Sequence, residues 1–166
     1  MNIGVLGPGR IARIVVPTIQ KLDGITVLAA ASRSAERAEA FAGKYGIERA
    51  YGSYEDMLED PDIDMVYITT PHSHHYEQIM QCIGHGKAVL CEKAFTANAK
   101  QARKVQEYAA AKGGFVAEAI WTRYMPSRRI IQEMVDGGRI GDIRYLTANL
   151  SYNITDKPRL VDRGLC

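Results

Sequence analysis

From residue 3 to about residue 119 the chain alternates short apolar runs of strand length with stretches whose apolar residues recur at helical spacing. Few folds accommodate that pattern. Each helix must cross over before the next strand pairs, which is the signature of βαβ units around a parallel sheet and hence of an α/β fold. Ile3 to Leu6 reads as the first strand, and Ile11, Ile14, Val15, Ile19 and Leu22 as the first helix. Pro17 inside that helix removes a backbone donor and predicts a kink or an early end. Thr26 to Ala31 follows as a strand. Ser34 is placed to cap a helix with Ala35, Ala38, Phe41, Ala42 and Tyr45 on its apolar face and Gly46 at its end.

Arg49 to Tyr51 reads as a short third strand, and Ser53 with Asp56 as a capping-box-like start of a brief helix ending before Pro61. Met65 to Ile68 is a buried strand, followed by a helix with Tyr76, Ile79, Met80 and Ile83 on one face. Ala88 to Cys91 makes a fifth strand, Asn98 caps a helix over Ala99 to Lys112 stopped by Gly113 and Gly114, and Phe115 to Ala117 supplies a sixth strand. Six strands with crossover helices complete a doubly wound sheet over residues 1–119. Past residue 120 the alternation changes. Pro126 opens a helix with Ile130, Ile131, Met134 and Val135 inward, a strand-like run covers Ile143 to Tyr152, and Asp156-Lys157-Pro158 begins an irregular stretch. One helix and one strand cannot enclose a core. Residues 120–166 therefore read as the start of an incomplete second domain, with the lone strand an unpaired apolar edge prone to self-association or disorder.

Composition narrows the partners. The 21 basic and 19 acidic residues leave a formal charge of +2 with no long run of one sign, which argues against nucleic acid and against a membrane surface. The apolar N-terminal run is too short for a signal peptide or a spanning helix, so the expected compartment is the cytoplasm. Cys82, Cys91 and Cys166 are odd in number and lack metal spacing, so free thiols are expected.

Gly7-Pro8-Gly9-Arg10-Ile11-Ala12 sits between the first strand and the first helix, where a dinucleotide fingerprint must lie to bring a pyrophosphate onto helix N-terminal amides. The first glycine permits the tight turn, the second lets the backbone approach the phosphates, and Ala12 allows close helix-to-strand packing. A glycine turn is also often just a turn. The second strand ends in Ala30-Ala31-Ser32-Arg33-Ser34, with no Asp or Glu to accept from a ribose 2′-hydroxyl. Arg33, with Ser32 and Ser34 beside it and Arg37 one turn on, suits a 2′-phosphate and favours NADP over NAD. The alternative is an exposed arginine at a helix start, a place where the helix dipole disfavours a cation unless an anion is near.

In such sheets ligands bind at the carboxyl ends of the strands. Four segments end there: the Gly7 loop, Thr70-Pro71-His72-Ser73-His74-His75, Glu92-Lys93-Ala94, and Glu118-Ala119-Ile120-Trp121. A lysine in that mouth is suited to transfer of an alcohol proton when partly desolvated, and is otherwise an ordinary surface lysine. The histidine cluster invites a metal, but consecutive loop histidines point different ways and no Cys, Asp or Glu stands at ligand spacing, so no metal is expected. His85 reads as a helix-dipole partner and Cys91 as core.

Together these segments resemble the Gfo/Idh/MocA family of NAD(P)-dependent oxidoreductases, in particular its dihydrodiol dehydrogenase-like branch. The residues that carry the resemblance are the Gly7 to Ala12 fingerprint, Ala31-Ser32-Arg33-Ser34, Thr70 to His75, Cys91-Glu92-Lys93-Ala94-Phe95, and the run from Glu118 through Trp121, Arg123 and Pro126. The resemblance implies a Rossmann sheet, with Lys93 as the proton-transfer lysine of a Glu-Lys-Pro motif and Glu92 orienting it. It also implies that Pro71, His72 and His75 line the nicotinamide side and that Trp121 and Arg123 approach a sugar, polyol or diol substrate. The motif's proline is Ala94 here, which loosens the backbone constraint after Lys93. Family members are longer, with a C-terminal α/β domain that forms a homo-oligomer and completes the substrate site. A dehydrogenase and a nucleotide-binding module without turnover both remain open.

Overall fold

The structure, a computed structural model, describes residues 1–151. The chain divides after Ala119 into two compact units. The first holds strands β1 (Asn2–Leu6), β2 (Thr26–Ala31), β3 (Arg49–Tyr51), β4 (Met65–Ile68), β5 (Ala88–Cys91) and β6 (Val116–Glu118), all paired in parallel in the order β3-β2-β1-β4-β5-β6. Between them run α1 (Arg10–Ile19), α2 (Ala35–Tyr45), α3 (Tyr54–Glu59), α4 (His75–Gly84) and α5 (Ala99–Lys112). This is the doubly wound Rossmann arrangement, whose switch point lies between β1 and β4.

Alternation along the strands assigns the two faces. Val5 and Tyr67 join Ala12, Val16, Phe41 and Ala42 beneath α1 and α2. Leu6, Val66 and Ile68 join Met57, Ile79, Cys82 and Val105 beneath α3, α4 and α5. A side-chain period of two thus gives each central strand two buried faces, which is why the strands read as continuous apolar runs.

Local chemistry sets the helix ends. Ser34 Oγ accepts from the Arg37 amide, Ser53 Oγ from Asp56 and Asn98 Oδ1 from Gln101, while Gly46 and Gly113 close α2 and α5 in the left-handed region. Pro17 lies inside α1, which ends two residues later. The Arg13 carbonyl, which a proline at position 17 cannot serve, instead accepts from the Tyr45 hydroxyl at 3.4 Å. His85 Nδ1 lies 2.9 Å from the Gln81 carbonyl at the end of α4 and its Nε2 3.1 Å from Glu55.

Four expectations need correction. The buried stripe of α1 is Ala12, Val16 and Ile19, while Ile14 and Leu22 are exposed, because the helix approaches the sheet on its small residue. Strand β6 lies one residue later than predicted, leaving Phe115 exposed before it. In the second unit α6 (Pro126–Asp136) forms with Pro126 in its first turn, but Ile130, Ile131 and Met134 are 53%, 62% and 41% exposed rather than inward. A periodic pattern makes a helix; burying it takes a surface to cover it. The predicted strand from Ile143 is absent through Ser151, and Tyr145, Leu146 and Leu150 are exposed, since an apolar run becomes a strand only when a neighbouring strand pairs with it. Tyr152, the Asp156 to Pro158 stretch and Cys166 lie outside the described residues.

Candidate functional site

At the switch point β1 and β4 stay paired through Leu6 and Ile68, and the turn after β1 lies flush against the segment after β4. Gly7 has φ +86°, and a Cβ there would run into Thr70 Cγ2, so position 7 is open only to glycine on both conformational and steric grounds. Thr69 Oγ1 donates to the carbonyls of Leu6 (3.2 Å) and Gly7 (2.5 Å), which pins the turn from below. Gly9 caps α1 with extended backbone and no side chain. The first-turn amides of Arg10, Ile11 and Ala12 point out of the helix without intrahelical acceptors. Pro8 is buried, Gly9 and Ile11 are half-buried, and Arg10 is exposed. The result is a bare backbone rim with a positive helix end behind it, a surface fitted to an anion.

One strand over, β2 ends on Ser32, which is buried and whose Oγ accepts from the Ser34 amide at 3.4 Å. Arg33 and Arg37 are exposed, and among the described residues no carboxylate lies within ion-pair distance of either. Arg33 lines a cavity with Tyr54, Thr70, Pro71, His74 and Gln78, which joins the end of β2 to the segment after β4. Burial pushes the Tyr54 hydroxyl above its ordinary value, and the positive fields of Arg33 and Arg37 offset part of that rise. Gln78 Oε1 accepts from Thr70 Oγ1 at 2.5 Å. Tyr54, His74 and Gln78 had no assigned role in the sequence. Gln78 left one trace, a polar residue on the buried face of α4; Tyr54 left none.

Lys93 stands in the irregular segment after β5, exposed, with no side-chain partner among the described residues. The partly desolvated setting considered from the sequence is thus not what surrounds it. Its neighbours, by contrast, are held. Glu92 accepts from the Tyr67 hydroxyl at 2.6 Å, and burial first, then Glu92, raises the Tyr67 hydroxyl so that it stays a donor. The Lys93–Ala94 peptide, at the position of the motif's proline, is cis.

His72 is half-buried, its ring edge-on to that of His75 at 5.5 Å. His75 itself is fully buried, with the Ala94 carbonyl 2.8 Å from Nδ1 and the Thr70 carbonyl 2.9 Å from Nε2. His75, expected to line the nicotinamide side, is held between these two carbonyls, one from the segment after β4 and one from the segment after β5. Among the described residues no three His, Cys, Asp or Glu side chains converge as metal ligands. Trp121 and Arg123 fall in a one-turn helix of the second unit, with Trp121 62% exposed. Cys82 and Cys91 are free and buried.

Against known proteins, residues 1–119 match the family model described as "Oxidoreductase family, NAD-binding Rossmann fold". The trans-1,2-dihydrobenzene-1,2-diol dehydrogenase of Mus musculus is 37% identical over 161 residues, 96% of this chain and 48% of that protein. The D-xylose 1-dehydrogenase (NADP(+)) of Hypocrea jecorina is 44% identical over 143 residues, 82% of this chain and 37% of that protein. The chain thus spans about half, or less, of the length of these relatives. Among solved structures, the 3-ketoreductase KijD10 from Actinomadura kijaniata in complex with NADP and TDP-benzene superimposes with a TM-score of 0.80 at 34% identity, over 87% of this chain and 44% of that one. With the match spanning all six strands and the glycine rim, the chain belongs to the Gfo/Idh/MocA oxidoreductase family.

Proposed function

We propose that this chain carries the cofactor-binding part of an NADP-dependent dehydrogenase acting on a carbinol of a sugar, polyol or cyclic diol. The observation that carries the cofactor choice is Arg33: exposed just past β2, without a carboxylate partner among the described residues, in a strand end that offers no acid to a ribose hydroxyl. The glycine rim fits the pyrophosphate, since Gly7 lets the turn pass close against Thr70 and leaves the first-turn amides of α1 bare, and Ser32, Arg33 and Arg37 fit the 2′-phosphate. Thr70, Pro71 and His72 wall the cleft after β4. When bound, the nicotinamide supplies or takes the hydride. Lys93 moves the hydroxyl proton at its Nζ, and Glu92, anchored by Tyr67, sets the start of its segment. Trp121 and Arg123 approach the substrate, and the residues from 120 onward open the substrate domain of a homo-oligomer. The diol and xylose relatives support this substrate class.

For the 166-residue chain by itself, binding without turnover is the second reading, favoured by one observation: no described residue from Ile120 to Ser151 is buried. Calorimetry with NADPH and NADH tests the first part. A preference for NADPH of about tenfold or more is expected from one bidentate, charge-assisted arginine–phosphate pair, and absence of heat with either overturns the proposal. Polyol-dependent NADPH formation then separates the readings. Turnover abolished by Lys93→Ala with NADPH affinity retained supports the dehydrogenase, and binding with no turnover in the wild type supports the module.

A further inference from the structure

The segment 92–98 is neither helix nor strand, yet it carries the residue on which the proposed chemistry depends. Because the Lys93 side chain has no partner of its own among the described residues, whatever fixes its direction must act through the backbone. Two side chains from separate elements do so on the residues immediately following. From β6, Glu118 Oε1 accepts the Phe95 amide at 2.9 Å. From α4, the buried His75 ring stands against the Ala94 carbonyl at 2.8 Å and, on its far side, against the Thr70 carbonyl at 2.9 Å. Ahead of Lys93 the Glu92 amide donates to the Ile68 carbonyl at 3.0 Å. The polypeptide on each side of Lys93 is thus tied down while its ammonium is left free.

We propose that Glu118 and His75 are positioning residues, two jaws that grip the Phe95 amide and the Ala94 carbonyl so that Lys93 is presented to the nicotinamide side of the cleft. Glu118 is the less obvious member. It ends a short edge strand whose neighbouring Ala119 amide already bonds the Cys91 carbonyl at 2.7 Å, so β5 and β6 stay paired without it, and its carboxylate is spent on the loop. His75 also couples this loop to Thr70, whose Cγ2 abuts the glycine rim, so the phosphate-facing turn and the lysine loop share one buried ring.

The inference rests on the reading of Lys93 as the proton-transfer residue, and the test keeps the two apart. Amide hydrogen exchange on the 166-residue chain reads the jaws directly. In Glu118→Ala the Phe95 amide should exchange about tenfold faster or more while α5 amides hold their protection, and Glu118→Gln, which keeps an acceptor oxygen, should restore it. Reductive methylation of Lys93 with and without saturating NADPH reads the presentation. In the wild type NADPH should shield Lys93. In Glu118→Ala the shielding should fall while NADPH affinity stays within about threefold, since the glycine rim and Arg33 are untouched. His75→Phe should lose shielding in the same way, and Glu118→Ala keeps the test decisive should that variant not fold. Unchanged Phe95 exchange, or full shielding in Glu118→Ala, overturns the positioning role. No shielding in the wild type overturns the Lys93 reading and the inference with it.

Discussion

Arg49 at the start of β3 and Arg33 just past the end of β2 flank neighbouring strands, yet their surroundings are opposite. Arg49 Nη1 donates to both oxygens of Asp60, at 3.0 and 2.8 Å, and Nη2 lies 2.8 Å from Asp62. The buried Asp60 also accepts from the Tyr51 hydroxyl at 2.7 Å and the Asp62 amide at 3.0 Å, and its carbonyl takes the Lys87 ammonium at 2.6 Å. Arg33, Arg37 and Lys93, at the carboxyl ends of the strands, have no such partners among the described residues. Where the strands begin, Arg49 and Lys87 are spent inside the fold; where they end, Arg33, Arg37 and Lys93 are held in reserve. The difference teaches that the cations consumed by the fold are not available to a ligand, so the bare backbone rim beside Arg33, rather than the cation count, locates this ligand edge.

The contrast breaks most sharply at Asp60. Asp60→Ala removes the acceptor of the Tyr51 hydroxyl and leaves the Arg49 guanidinium to Asp62 and Glu48, and should cost about 2 kcal/mol in urea unfolding, less than for a fully buried pair because Arg49 keeps carboxylate partners and some access to water. NADPH affinity should not change. Arg33→Ala should do the reverse, weakening NADPH by about tenfold, toward the NADH value, while unfolding stays within about 0.5 kcal/mol. An Asp60 variant that loses NADPH binding, or an Arg33 variant that unfolds, would erase the distinction between the two edges.

Acid sharpens it further. Burial alone would raise the Asp60 carboxyl, but Arg49, Tyr51 and the Asp62 amide together hold it below its ordinary value. A folded value below the unfolded one adds stability at pH above the unfolded carboxylate value of about 3.9, and that stability is lost as pH falls through the folded value. Urea midpoints should therefore drop below about pH 4, and the drop should be shallower in Asp60→Ala. The smallest effect concerns the thiols of the sheet interior. Burial pushes the Cys82 thiol up to about 12, and burial together with Glu92 pushes Cys91 up as well. Neither should take iodoacetamide at pH 8 in the folded protein, and both should in urea, as peptide mass mapping will show.

Much of this was legible in the sequence because it is local. The caps at Ser34, Ser53 and Asn98 and the strands β2, β3, β4 and β5 follow from residue types within a few positions of one another. The glycine rim was legible too, since its placement between a strand and a helix is a property of adjacent residues. Burial of α6 was not legible, because its apolar face needs a partner that periodicity does not supply. The jaws on the Lys93 loop were equally hidden: Glu118 lies 23 residues beyond Phe95 and His75 lies 19 before Ala94, distances that only the packing of β6 and α4 around β5 closes.

By itself, then, the sequence determined the parallel winding, the bare turn at Gly7 and the absence of an acid after β2, all consequences of chain stereochemistry and nearest neighbours. Tertiary structure alone decided which polar groups are consumed and which are spared. Pairing depends on distances between residues remote in the chain, and those distances exist only once the sheet has brought Asp60 to Arg49 and left Arg33 and Lys93 unpaired among the described residues.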